Sequence, residues 1–234
     1  MSKATAAPSV SPPSVEGACT GETIACNRPR GRPQVRPDAE TARLVLQAAE
    51  TSFAERGYAD TTIDEVAKAA GVAKKTVYRL FGGKADLLGG IIRARADTFT
   101  MSIEAETDDI PLDVALFDIL EKFTHLVLSP EAIAQNRLST AEALRFPEVA
   151  AAFYEHGRLH TTKALADWLA HQCERGLIRL DDPFTAASIL LSMAADEPLR
   201  RTTLGIAAPA FDAVSRSRIA TCVSLFLDGC RTTA

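Results

Sequence analysis

Residues 63–81, IDEVAKAAGVAKKTVYRLF, constrain the fold more than any other stretch of this chain. Ile63, Val66, Ala67 and Ala70 recur at i, i+3, i+4 and i+7, which draws one apolar face on a short helix. Gly71 breaks that period, and Val72 follows as an apolar plug. Val77, Leu80 and Phe81 draw a second short apolar face, leaving Lys74, Lys75, Thr76, Tyr78 and Arg79 outside. A small Ala67 where the helices cross, Gly71 at the turn and Val77 in the core suit two helices meeting at a steep angle. Such a pair, with a basic outer face on its second helix, describes a helix-turn-helix that reads DNA.

The flanks agree with this reading. Residues 38–56 form a helix with Val45, Ala49 and Phe53 stacked at i, i+4 and i+8. Asp38 and Glu40 suit its positive N-terminal end, Gly57 closes it, and Tyr58 folds back on its last turn. Thr62 and Glu65 spell a capping box for the second helix. The third helix opens against the same rules. Ala73 occupies its N-cap position, and Lys74 and Lys75 place positive charge at the positive end of its dipole. Phosphates would supply the missing anions. Lys84 opens a fourth helix reaching about Met101, where its amine and the first free amides suit another phosphate. Gly89 and Gly90 inside that helix mean either close helix packing or a pliable strut.

Charge separates the chain into parts. Residues 28–84 carry 11 Lys and Arg against 7 Asp and Glu, whereas residues 85–234 carry 14 against 21. A basic head on an acidic body suits a protein whose head meets a polyanion and whose body does not. Residues 1–27, rich in Ala, Ser, Thr and Pro, are expected to be disordered. They lead into RPRGRPQVRP at 28–37. Arg30 and Arg32, flanking Gly31, form a compact cationic unit suited to a narrow minor groove; a solvated basic linker is the plainer alternative. The longest apolar run, 186–195, is too short to span a membrane. With no apolar signal core at the N-terminus, a cytoplasmic location is expected.

From residue 111 onward the pattern is helix after helix: 112–128, 130 to about 145, 147 to about 175, 184 onward with a kink expected at Pro198, and 215–230. Asp181, Asp182 and Pro183 form an N-terminal signature. The fold class is therefore all-α: an N-terminal three-helix helix-turn-helix domain at 38–84 after an arm at 1–37, then a helical bundle at 85–234.

Residues 39–99 resemble the DNA-binding domain of the TetR family of bacterial transcriptional regulators. The resemblance rests on FAERGY from Phe53, TTI from Thr61, VAKAAGV from Val66, KKTVYRLF from Lys74 and KADLL from Lys84. Arg145 to Glu148, Phe153-Tyr154 and Asp182-Pro183 are similar to the C-terminal domain type named after AefR. Ala73 stands where the family usually has Ser or Thr, Lys75 where a small residue is common, and Leu80 where an aromatic residue or His is frequent. The resemblance implies a homodimer through the helices at 184–203 and 215–230, whose apolar character all round agrees. It also implies a ligand pocket in the body, an effector that re-spaces the heads, and a near-palindromic double-stranded DNA operator.

The expected function is a ligand-responsive repressor released by a small apolar effector. An architectural DNA-binding protein without an effector is the alternative, and the large body speaks against it. No nucleophile motif or Gly-rich phosphate loop suggests an enzyme, and no cofactor is implied. His156 and His160 stand at i, i+4 but lack an evident third ligand, so no metal site is expected. Lys74, Lys75, Thr76 and Arg79 are assigned to the major groove, with Arg79 as the base reader. Thr62, Tyr78 and Lys84 are assigned to phosphates. Phe117, Phe123, Trp168 and Met193 are candidates for the pocket, with plain core as their alternative role.

Overall fold

A computed structural model of the chain describes residues 37–104 and 109–230. The expected arm, with Arg30 and Arg32, lies outside the described residues. Helices follow one another as α1 (Asp38–Asp60), α2 (Ile63–Ala70), α3 (Lys74–Phe81), α4 (Lys84–Glu104), α5 (Leu112–Val127), α6 (Pro130–Glu142), α7 (Pro147–Phe153), a π-helical segment (Tyr154–Leu159), α8 (His160–Glu174), α9 (Pro183–Thr203) and α10 (Ala213–Cys230). The described residues contain no strand beyond a single bridge at Ile178.

The head is assembled from local rules. Gly57 takes φ 80° at the expected break, although one more helical turn carries α1 to Asp60. Tyr58 folds back to stack on Phe53, with ring centroids 5.6 Å apart. The capping box of α2 is complete: Thr62 Oγ1 accepts from the Glu65 amide, and Glu65 accepts from the Thr62 amide. Gly71 is left-handed at φ 67°, which turns the chain into α3. Val45, Ala49, Val66 and Val77 are fully buried where α1, α2 and α3 meet.

That core does not stop at residue 84. Leu87, Leu88, Ile91 and Ile92 of α4 belong to it, as does Val149 of α7. The expected boundary between head and body cuts through one apolar cluster, because α4 offers one face to each. Further along α4, Phe99 and Ile103 join the second core, built from α5, α8, α9 and α10.

Gly89 and Gly90 support the packing reading. A Cβ on Gly89 would lie 2.6 Å from the His156 ring, and one on Gly90 would lie 2.9 Å from a Leu46 methyl. The helix expected from 147 to about 175 is instead interrupted by the π-helical turn, at Gly157 and its neighbours. The extra residue in that turn re-aims the side chains on either side of it. His156 packs on Gly89, and Arg158 reaches α9. In α9, Asp182 caps the first amides, and the helix runs through Pro198 to Thr203.

Candidate nucleic-acid interface and effector cavity

The outer face of α3 is exposed at Lys74, Lys75, Tyr78 and Arg79, with Thr76 half-buried and Val77 anchoring the helix beneath. No side chain caps α3. Its exposed cations are partly held within the head. Lys74 Nζ lies 2.9 Å from Asp64 of α2. Arg79 grips Asp38 with two bonds of 2.7 and 2.8 Å, holding that carboxyl below its ordinary range. Both pairs are solvent-exposed and therefore weak, so a phosphate or a base edge competes for these cations at low cost. Lys75 has no ion-pair partner among the described residues.

Two of the residues assigned to phosphates are engaged elsewhere. Lys84 Nζ donates to the carbonyls of Tyr58, Ala59 and Thr61 at 2.6, 3.2 and 3.1 Å. An ammonium has three donors, and all three are taken. The amine also sits 4.3 Å from the centroid of the Tyr58 ring. Burial pushes its pKa below that of an ordinary lysine. Lys84 therefore clasps the end of α1 in the free protein. Thr62 donates its hydroxyl to Glu65 at 2.9 Å while accepting from the Glu65 amide, so its side chain serves the cap. Tyr78 remains open to solvent.

A second site lies in the body. A half-open cavity of about 130 Å³ is lined by α4, α5, α6, α7, the π-helical segment, α8 and α9. Its walls are mainly apolar, with Ile92, Phe123, Leu126 and Phe153 among them. Of the four pocket candidates only Phe123 lines it. Phe117 packs under the Arg216 guanidinium, 5.2 Å away, and Trp168 packs against the second core. Met193 faces a surface hollow of α9 and α10 beside Leu225. These three sit on central helices, but the helices turn those faces away from the cavity.

The polar members of the cavity wall were not legible in the sequence. Arg158 donates to the Ser188 carbonyl at 3.0 Å and to Ser192 Oγ at 2.7 Å, tying the π-helical segment to α9. Arg95 of α4 bonds Gln135 Oε1 on α6 and Glu50 on α1. One guanidinium thus joins a cavity side chain to the first helix of the head. Nε2 of Gln135 is buried without a partner among the described residues. Nearby, His160 Nε2 lies 2.8 Å from Asp97 and 3.3 Å from Thr100 Oγ1, whereas His156 packs on Gly89. The two histidines serve different contacts, and no group of metal-ligand residues occurs among the described residues.

Residues 45–91 match the family described as bacterial regulatory proteins of the tetR family, and residues 114–229 match the AefR-like transcriptional repressor C-terminal domain. This chain belongs to the TetR family of transcriptional regulators. Among relatives, the HTH-type transcriptional regulator TtgR of Pseudomonas putida is 33% identical over 102 residues, which cover 42% of this chain and 49% of TtgR. The chain spans about half the length of curated relatives that it matches in sequence. Among solved structures, a TetR-family regulator from Mesorhizobium loti has a TM-score of 0.70 at 27% identity, covering 85% of this chain and all of its own. The flavonoid-responsive regulator FrrA has a TM-score of 0.69 at 29% identity, covering 84% of this chain and all of FrrA. No helix among the described residues of this TetR-family protein is long and apolar enough to cross a membrane.

Proposed function

We propose that this regulator is a repressor that binds a near-palindromic operator as a homodimer and is released when a small apolar effector enters the body cavity. The observation that carries this reading is the bridge made by Arg95, because it joins the cavity wall to α1 of the reading head. A cavity of about 130 Å³ has room for about one aromatic ring. A larger effector binds only if the surrounding helices part. Since α4 forms both a wall of the cavity and a face of the head core, parting them moves the head. The similarity to a flavonoid-responsive regulator favours a flat aromatic effector.

On DNA, Lys74, Lys75, Thr76 and Arg79 face the major groove, Tyr78 touches the backbone, and Arg30 and Arg32 follow the minor groove. Dimerisation uses α9 and α10. Ile189 and Leu225 are more than half exposed there, and Phe184 is exposed beside them. Apolar side chains of that size on adjoining helices suit burial against a second copy.

Selection of bound DNA from a random pool by the purified full-length protein tests the reading, with binding then measured with and without flavanone. Two half-sites about one helical turn apart, bound by a dimer and released by the compound, are expected. A single half-site bound by a monomer, or binding indifferent to every flat aromatic compound tried, would overturn it.

A further inference from the structure

The cation assigned to base reading is held by one end only. Arg79 Nη1 donates to Asp38 Oδ2 at 2.8 Å, and Nη2 donates to Oδ1 at 2.7 Å. A carboxylate so placed takes the tip of the guanidinium fork and uses two of its five donors. The side edge, made of Nε–H and the second hydrogen of Nη2, has no bond among the described residues. Arg79 keeps 53% of its side chain exposed despite the pair. Lys74 offers the contrast. Its bond to Asp64 holds a point charge, which has no second edge to aim.

Both ends of the Arg79 pair stand on packed elements. Asp38 opens α1, where the buried Thr41 donates its amide and its hydroxyl to the Pro37 carbonyl at 3.0 and 3.1 Å. Val45 and Ala49 anchor α1 in the head core, and Val77 anchors α3 in the same core. The carboxylate is therefore a fixed reference for the guanidinium. A guanine presents O6 and N7 to two adjacent donors of an arginine, and the side edge supplies such a pair with the carboxylate still in place.

We propose that Asp38 is a specificity-determining positioning residue for DNA reading: it holds Arg79 by the tip of its fork and presents the free side edge to one guanine in each half-site. This rests on the operator reading above and on Arg79 as its base reader. Holding the side chain in advance lowers the ordering cost of the right contact. It also works against wrong ones. An Arg79 free to swing would settle on a phosphate beside any base, and the Asp38 charge repels the phosphates of every sequence alike. Operator binding gains while random binding loses, so the effect lies in their ratio.

Competition binding by the full-length protein tests this, on the selected operator and on versions with each base pair of the half-site replaced in turn. Wild type is expected to prefer guanine at one position of each half-site, and Arg79→Ala to lose that preference. Asp38→Asn should reduce the preference about fivefold per half-site, while affinity for random DNA rises by less than about threefold. Asp38→Glu, which keeps a carboxylate, should recover part of the loss. Glu55→Gln removes an exposed charge from the same helix, roughly 25 Å further along, and should leave the preference at its wild-type value. An undiminished guanine preference in Asp38→Asn overturns the inference, and so does a loss that Glu55→Gln reproduces. If Arg79→Ala keeps the wild-type preference, the base-reader assignment falls and this inference with it, while the operator reading stands. If wild type prefers no sequence, the operator reading itself falls.

Discussion

The head and the cavity solve the same problem, placing polar groups on an apolar frame, with partners at very different distances along the chain. In the head, Thr62 is capped by Glu65 three residues away, Arg56 pairs with Glu65, and Lys74 pairs with Asp64 ten residues away. In the cavity, Arg95 reaches 40 residues to Gln135 and 45 to Glu50, and Arg158 reaches 34 to Ser192. Short-range partners fix a rigid shape early and leave a free outer face for a ligand as regular as DNA. Long-range partners tie several helices at one point, so a small change there is felt by all of them. The head presents a fixed surface, whereas the cavity gathers separate elements around shared guanidinium contacts.

Lys84 and Arg79 challenge that contrast, because both reach far along the chain inside the head, Arg79 by 41 residues to Asp38 and Lys84 by 23 to 26 to the end of α1. Replacing Lys84 in Lys84→Met strands three carbonyls at the end of α1. The expected cost is about 2–3 kcal/mol of stability in urea unfolding. Base preference among the selected DNA sequences should stay unchanged. A stable variant with uniformly weaker DNA binding would return Lys84 to the phosphate role.

Tyr58 provides a pH test of the same junction. Burial, with the nearby Glu148 carboxylate, pushes its pKa up to about 12 from an ordinary 10.0. The folded-state value is raised, so the stabilisation is complete below about pH 10, where the unfolded chain's tyrosine is still protonated. It is lost as pH rises from about 10 to about 12. Over that window wild type should lose about 1–2 kcal/mol more than Tyr58→Phe, after allowance for partial screening. Parallel unfolding curves from pH 9 to 12 check this, and equal slopes would show that the ring ionises freely.

Gly90→Ala probes how closely head and body share α4. The added methyl meets Leu46 and Phe81, and the clash outweighs the gain in helix propensity by about 1 kcal/mol. Gly89→Ala meets the His156 ring instead, and His156→Ala in the same protein should restore it. Failure of that rescue in thermal melts would break the proposed contact between α4 and the π-helical segment.

The smallest effect concerns α3. Ala73→Ser supplies the missing cap and should stabilise the free protein by about 0.5–1 kcal/mol. Asp38→Asn should free Arg79 and raise affinity for random DNA by less than about threefold, since the pair is exposed. Fluorescence anisotropy at fixed salt distinguishes the two, and a large gain in either would mean that these contacts govern the head more than its core does.

Much of the head was legible because its signals are local. The capping box, the left-handed Gly71, the uncapped Ala73 and the burial of Val77 follow from residue type and spacing alone. The clasp made by Lys84 was not legible for an instructive reason: a lysine opening a helix after a glycine turn looks free until the end of α1 is folded against it. The cavity was nearly illegible. Phe123 lines the cavity because an apolar face must point inward. Phe117, Trp168 and Met193 satisfy the same rule and point elsewhere.

By itself the sequence determined that the head and body are built of helices, where the reading head begins and turns, and which cations its second short helix exposes. These follow from periods of a few residues, where backbone geometry leaves one solution. Only the tertiary structure decided that Lys84 closes α1, that a π-helical turn sends His156 to Gly89 and Arg158 to α9, and that Arg95 joins Gln135 to Glu50. Those contacts depend on how helices far apart in sequence cross. A crossing is set by the packing of whole faces rather than by any single motif.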